Sequence, residues 1–180
     1  MTWAMRRLKA HAPPPAEPVE TGDPERWPEV EKAMGTALPR DYKDLIATYG
    51  SGLFDELLWL FNPFAPAGDG NLVDERDRVL ADYAESRRKF PEHYPLPPWP
   101  EPGGLLPLGR SDNGNELYWV TKGEPDDWQV ALFGARSPSN DLHDGGIVRF
   151  LADLVSGRLE TSQLPDDVLH REQHTFTKFD

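Results

Sequence analysis

The sequence contains no cysteine, which excludes disulfides, thiolate zinc sites, iron–sulfur clusters and cysteine nucleophiles together. It also lacks a long apolar run. The best candidate, Leu57 to Phe61, falls far short of the roughly 20 residues that a membrane-spanning helix needs. Basic residues are scarce, with 19 against 31 acidic ones and a formal charge of -12. A field of that sign repels phosphate backbones and argues against nucleic acid as a partner. Arg6, Arg7 and Lys9 stand near the start, but Pro13, Pro14 and Pro15 follow them instead of an apolar stretch and a small-residue cleavage site. The usual secretory signal is therefore not expected, and a cytoplasmic location is.

What is present suits a folded, soluble chain. Hydrophobic residues make up 38% and charged residues 28% of 180 positions, enough for one domain with its own core. Proline and polar residues dominate Ala12 to Gly22, so residues 1–22 are expected to form a flexible arm ahead of the domain. Asp23-Pro24 then reads as a start signal, with Trp27, Val30 and Met34 on one helical face before Gly35. Pro39 opens a second helix in which Tyr42, Leu45, Ile46 and Tyr49 recur at helical spacing, and Gly50 and Gly52 close it. Leu57 to Phe61, bounded by Asn62-Pro63, reads as a buried strand. A third helix is expected from Leu72 to Arg88, with Leu72, Arg76, Val79, Leu80 and Tyr83 on one side.

Prolines between Pro91 and Pro102 mark an extended connector. Beyond it, Leu105 to Gly109 and Glu116 to Val120 flank Asn113-Gly114, a hairpin signal, and Gln129 to Phe133 supplies a further strand. Ile147, Phe150, Leu151, Leu154 and Val155 define a last helix ending at Gly157. Helices, then strands, then a helix argue an α+β fold with a mainly antiparallel sheet, not alternating βαβ units.

Catalytic and metal chemistry find little to build on. His170 and His174 have the i, i+4 spacing of a shared metal, but Glu172 is not placed as in a zincin and no third ligand follows, so a solvated tail over 161–180 is the simpler reading. Asp141-Leu142-His143-Asp144 offers acid–base groups without a nucleophile tied to them, and Asp144 is expected instead to cap the last helix. Asp112 to Glu116 has oxygen ligands but not the length or repeat of an EF-hand loop. Gly68-Asp69-Gly70-Asn71 precedes a helix without a phosphate-loop Lys-Ser or Lys-Thr. No G-x-S-x-G elbow or dinucleotide fingerprint is present. The expectation is a protein that is not an enzyme and carries no cofactor and no metal.

Aromatic residues among acids are the remaining signal. Tyr118, Trp119 and Trp128 stand beside Asp112, Glu116, Glu124, Asp126 and Asp127. Tyr118 and Trp119 must point to opposite faces of a strand, so one fills the core while the other meets either a covering helix or a partner. If a ring is exposed, an aromatic anchor ringed by carboxylates suits a basic protein partner. Asp112, Glu116, Tyr118, Glu124, Asp126, Asp127 and Trp128 are thus the candidate partner-binding residues.

Trp27, Val30-Glu31, Gly35, Leu38-Pro39, Asp41-Tyr42, Tyr49-Gly50-Ser51-Gly52, Phe54 and Asn62-Pro63 together resemble the N-terminal signature of the Smi/Knr-type SUKH superfamily. The resemblance continues through Leu106-Pro107-Leu108-Gly109, Asn113-Gly114, Tyr118-Trp119 and Phe150-Leu151, from about Glu25 to Gly157. It implies one SUKH domain over 23–160, with helices packed on a strongly bent, mainly antiparallel sheet. It further implies a binding scaffold without catalytic residues. Bacterial members are largely immunity proteins that neutralise polymorphic toxins, many of them nucleases or deaminases. Fungal relatives act as regulatory interaction modules. The resemblance therefore leaves two readings, an immunity protein for a cognate toxin and an intracellular regulatory scaffold.

Overall fold

The computed structural model describes residues 2–135 and 139–179. Its helices are α1 (Trp3–His11), α2 (Trp27–Met34), α3 (Arg40–Tyr49), α4 (Leu72–Lys89), α5 (Gly146–Leu154) and α6 (Asp166–Leu169). The strands are β1 (Gly52–Phe54), β2 (Leu58–Leu60), β3 (Leu105–Ser111), β4 (Glu116–Val120), β5 (Gln129–Phe133), β6 (Asn140–His143) and β7 (Phe176–Lys178). They form one seven-stranded sheet in the order β6-β5-β4-β3-β2-β1-β7, and every neighbouring pair is antiparallel. This is the expected α+β fold. A register shift between Pro107 and Gly109 puts a bulge where β3 meets β4, the usual device for bending a strand.

The helical periodicities translate into burial. Tyr42, Leu45, Ile46 and Tyr49 are all buried on α3, as are Val30 and Met34 on α2. Gly35 ends α2 in a left-handed conformation, its N–H bonding back to Glu31 and Lys32. On α4, Asn71 caps the first turn by accepting from the N–H groups of Val73 and Asp74, and Leu72, Val79 and Tyr83 face inward. Helices cover both faces of the sheet. Trp119 of β4 meets Tyr42 of α3 edge to face, with centroids 5.0 Å apart. Tyr118, on the opposite face, meets Tyr83 of α4 at 5.7 Å.

Residues 1–22 are not a free arm. Trp3–His11 is a helix capped by Thr2, and its Met5 and Leu8 are buried in the core beside Ala12. The proline-rich stretch after it lies along the domain as a strap. Tyr49 Oη donates to the Ala12 carbonyl (2.7 Å), the Ser51 N–H to Val19 (3.1 Å) and Asn62 Nδ2 to Glu20 (3.0 Å). Prolines keep the strap extended, and its carbonyls find donors on the domain. Gly50 permits this approach: its φ is +66°, and a Cβ there would sit 1.8 Å from the Val19 carbonyl oxygen.

The 161–180 segment is equally engaged, against the expectation of a solvated tail. Leu164, Val168 and Leu169 are buried, and β7 extends the sheet beyond β1. His174 is 8% exposed, and its Nδ1 lies 2.7 Å from Asp55 Oδ2. Asp55 also accepts the Thr175 N–H at 2.9 Å. His170 follows the end of α6, so the two histidines do not share a helix.

Asp144 does not cap α5; its carboxylate takes a hydrogen bond from Gln129 Nε2 (2.7 Å). The cap comes from α3, where Asp41 Oδ2 accepts the Val148 N–H at 3.0 Å. Gly146, at φ +79°, leaves room for it, since a Cβ would stand 2.4 Å from that same oxygen. Burial raises the Asp41 carboxyl pKa, against the pull of backbone N–H groups from Val148, Tyr42 and Ile147.

Two stability outcomes follow. Leu8→Ala should cost on the order of 2 to 5 kcal/mol by urea denaturation, whereas a free arm would lose almost nothing. Asp41→Ala should cost about 1 kcal/mol as a lost cap, while Asp41→Asn keeps the acceptor. Because the folded carboxyl has the higher pKa, its ionised form carries a cost as pH rises through that range. The Asn variant should therefore match or exceed the parent near neutral pH, with the gap closing on acidification in denaturation curves recorded across pH.

Candidate partner-binding site

The β3–β4 hairpin places the first group of candidate residues. Within its turn, Ser111 Oγ bonds Asn113 and accepts the Asn115 N–H at 3.0 Å. Asn115 then fastens the turn to the domain, donating from Nδ2 to the Gln163 carbonyl (2.6 Å) and accepting the Ala135 N–H (2.9 Å). These side chains are committed to the turn and not arranged as cation ligands. Asp112 is exposed, with its N–H donating to the Leu57 carbonyl.

Glu116 and Tyr118 lie two residues apart on one face of β4, and the Tyr118 hydroxyl donates to the Glu116 carboxylate. They sit beneath α4 and the proline-rich connector. Glu116 lines a pocket of about 230 Å³ together with Asp82 and Tyr83 of α4, His93 and Tyr94 of the connector, and Phe133 of β5. Burial raises the Glu116 pKa and the Asp82 charge adds to the effect, against the Tyr118 hydrogen bond and the charges of Arg78 and Arg110. Tyr118 itself titrates well above the usual phenol range, through burial first and the Glu116 charge second.

The second group occupies the opposite end of β4. Here Pro125–Asp127 forms a single 3-10 turn. Asp126 Oδ1 accepts the Arg40 N–H (2.8 Å) and Oδ2 pairs with Arg40 Nε (2.9 Å), so this acid caps α3. Glu124 and Asp127 are exposed and enter no ion pair among the described residues. Trp128 is 3% exposed, its Nε1 donating to the Gly123 carbonyl at 3.3 Å.

The expected single patch is thereby divided. From Glu116 to Val120 the strand advances by about 14 Å at roughly 3.4 Å per residue, leaving Asp112 and Glu116 at one end and Glu124, Asp126 and Asp127 at the other. Tyr118, Trp119 and Trp128 provide no exposed anchor. Both faces of β4 are covered, so the alternation that should have released one ring buries each under a different helix. Asp82, His93 and Tyr94 join the site through tertiary packing. Asp82 reads in sequence as an ordinary solvated residue of α4, and only the docking of α4 on β4 brings it to Glu116.

The other candidate groups resolve into structure. Asp141 accepts from Thr161 Oγ1 (2.5 Å) and the Ser162 N–H (3.4 Å). His143 lies edge-on to Phe150 with centroids 5.2 Å apart, and burial lowers its pKa against the pull of Asp141, Asp153 and Asp144. The N–H groups of Gly68 and Gly70 are taken by Asp74 and Glu75, so the chain's own carboxylates occupy the approach to α4. Among the described residues no cluster of three or more histidine or acidic side chains could hold a metal ion. None of the described helices is long and apolar enough to cross a membrane.

The two kinds of acid at the Pro125–Asp127 turn should separate in stability measurements. Asp126→Ala is expected to cost about 1 kcal/mol through the lost cap of α3, and Asp127→Ala to stay within about 0.5 kcal/mol. Equal losses in urea denaturation would contradict this division.

No curated protein matches the sequence. The model of the SMI1 / KNR4 family (SUKH-1) matches residues 22–156, three quarters of the chain. That span runs from the end of the strap through α5 and includes both ends of β4. Its N-terminal part contains Asp41 and Tyr42, which cap α5 and bind the Phe61 carbonyl (2.5 Å). The match and the antiparallel α+β architecture agree, and the chain belongs to the SMI1 / KNR4 family (SUKH-1).

Proposed function

We propose that this chain is an immunity protein that binds and neutralises a cognate toxin by protein–protein contact, acting in the cytoplasm and without catalysis. The observation that carries the reading is a formal charge of -12 on a SUKH-1 scaffold. Asp112, Glu124 and Asp127 add carboxylates that are exposed and outside any ion pair among the described residues. A toxin that attacks nucleic acid, such as a nuclease or a deaminase, needs basic surface to hold phosphate. An acidic protein meets that surface with complementary charge and shields it. Such complementarity acts first on association rate, so binding should weaken as salt rises.

The test is co-expression with the product of an adjacent toxin-like reading frame, paired with titration of that toxin's activity in vitro. Inhibition should saturate mole for mole, since a blocker is consumed by its target and a catalyst is not. Glu124→Lys with Asp127→Lys, which spares the cap made by Asp126, should slow association and reduce protection with the fold intact. Each exposed charge should contribute under about 1 kcal/mol. Full protection with salt-independent binding would remove this end of β4 from the interface. Absence of any stoichiometric inhibition would overturn the immunity reading and favour a regulatory scaffold.

A further inference from the structure

We infer that the pocket between α4 and the start of β4 receives an arginine side chain from the protein partner, with Glu116 and Asp82 holding its guanidinium and Tyr83, Tyr94 and Phe133 packing on its stem. This deepens the protein-partner reading above and rests on it. The pocket measures about 230 Å³, below the roughly 300 to 1,000 Å³ of most cofactor and metabolite sites. One side chain is the scale of ligand it suits.

Its chemistry selects the kind of side chain. Glu116 is half-buried, and one of its oxygens takes the Tyr118 hydroxyl. No hydrogen bond among the described residues reaches the other oxygen. Asp82, another lining residue, pairs with Arg78 at 3.8 Å, and Arg78 itself does not line the pocket. Two carboxylates thus line a cavity to which, among the described residues, no lysine or arginine contributes. An anion would be repelled there, and a neutral apolar group would strip water from Glu116 without replacing it.

The walls favour a planar cation on an aliphatic stem. Tyr94 and Phe133 lie nearly parallel, at 7° with centroids 6.4 Å apart. Tyr83 stands edge-on to both, 5.3 Å from Tyr94 and 5.8 Å from Phe133. Aromatic rings attract cations through their faces, and guanidinium combines flat stacking with forked donation to carboxylate. The Tyr83 hydroxyl donates to the Leu96 carbonyl (2.9 Å) and Arg87 Nε to the Tyr94 carbonyl (3.2 Å), so the walls are fixed before anything binds. Arg87 is directed at the backbone of the connector and does not line the pocket.

The test uses the full ¹⁵N-labelled chain titrated with N-acetyl-arginine amide and, as its neutral isostere, N-acetyl-citrulline amide. The arginine probe should shift the amides of Gly114, Glu116 and Gly134 saturably, whereas citrulline should not. Glu116→Gln should weaken the response at least ~10-fold, as expected for loss of a charge-assisted contact. Asp82→Asn, on the exposed face of α4, supplies a second variant with less risk to the fold and should also weaken it. Equal responses to arginine and citrulline, no saturable shift, or undiminished binding by both folded variants would each overturn the pocket assignment. A chain that neutralises its toxin mole for mole but gives no saturable arginine response would retain the immunity reading and lose this one.

Discussion

Much of the architecture depends on where Asp41 and Tyr42 stand at the start of α3. The carboxylate accepts the Val148 N–H in the first turn of α5, joining elements 107 residues apart. Its neighbour sends a hydroxyl to the Phe61 carbonyl as the chain leaves β2, and presents its ring to Trp27 and Trp119. Both connections lie at the start of α3, where Asp126 accepts the Arg40 N–H. Two carboxylates therefore act in series, Asp126 on α3 and Asp41 on α5. Each satisfies backbone donors that a helix cannot satisfy for itself. The preceding Glu31 accepts the Leu38 N–H at 2.8 Å and extends the arrangement back to α2.

The covering of both sheet faces explains what was and was not legible in the sequence. Helical periodicity located α2, α3, α4 and α5 because each inward face repeats over several turns. Asn113-Gly114 located the hairpin because its geometry is local. By contrast, β6 reads Asn-Asp-Leu-His and β7 reads Phe-Thr-Lys, short and mostly polar segments that become strands only beside β5 and β1. The helix α1 was obscured by the prolines after it, although Met5, Leu8 and Ala12 already share a helical face. His174 and Asp55 lie 119 positions apart, a separation at which no spacing rule operates.

The candidate site was legible in residue type but not in exposure. Whether a strand aromatic is free depends on the second layer above it, and α4 closes the face of Tyr118 that a one-sided sheet would leave open. The acids between Asp112 and Asp127 are close in sequence, but β4 runs between the groups and carries them to opposite ends. Meanwhile the docking of α4 creates a pocket that no contiguous motif describes. The proline-rich connector provides one of its aromatic walls through Tyr94.

This organisation also refines the meaning of the large negative charge. Several carboxylates are engaged within the fold: Asp41 at α5, Asp55 with His174, Glu75 between Arg78 and Arg110, and Asp126 at α3. Their charge is offset locally by cations or backbone dipoles, so they contribute less to recognition than a formal count implies. Glu75 shows this clearly, at 2% exposed with Arg78, Arg110 and the Gly70 N–H around it. The field outside the domain arises mainly from acids without such neighbours, among them the exposed Asp112, Glu124 and Asp127. Glu116 belongs to neither group: it accepts the Tyr118 hydroxyl and is half-buried, yet it lines the pocket beside α4. The formal count therefore joins two kinds of carboxylate, those whose charge is answered within the fold and those whose charge reaches solvent, and only the second kind adds to the field outside the domain.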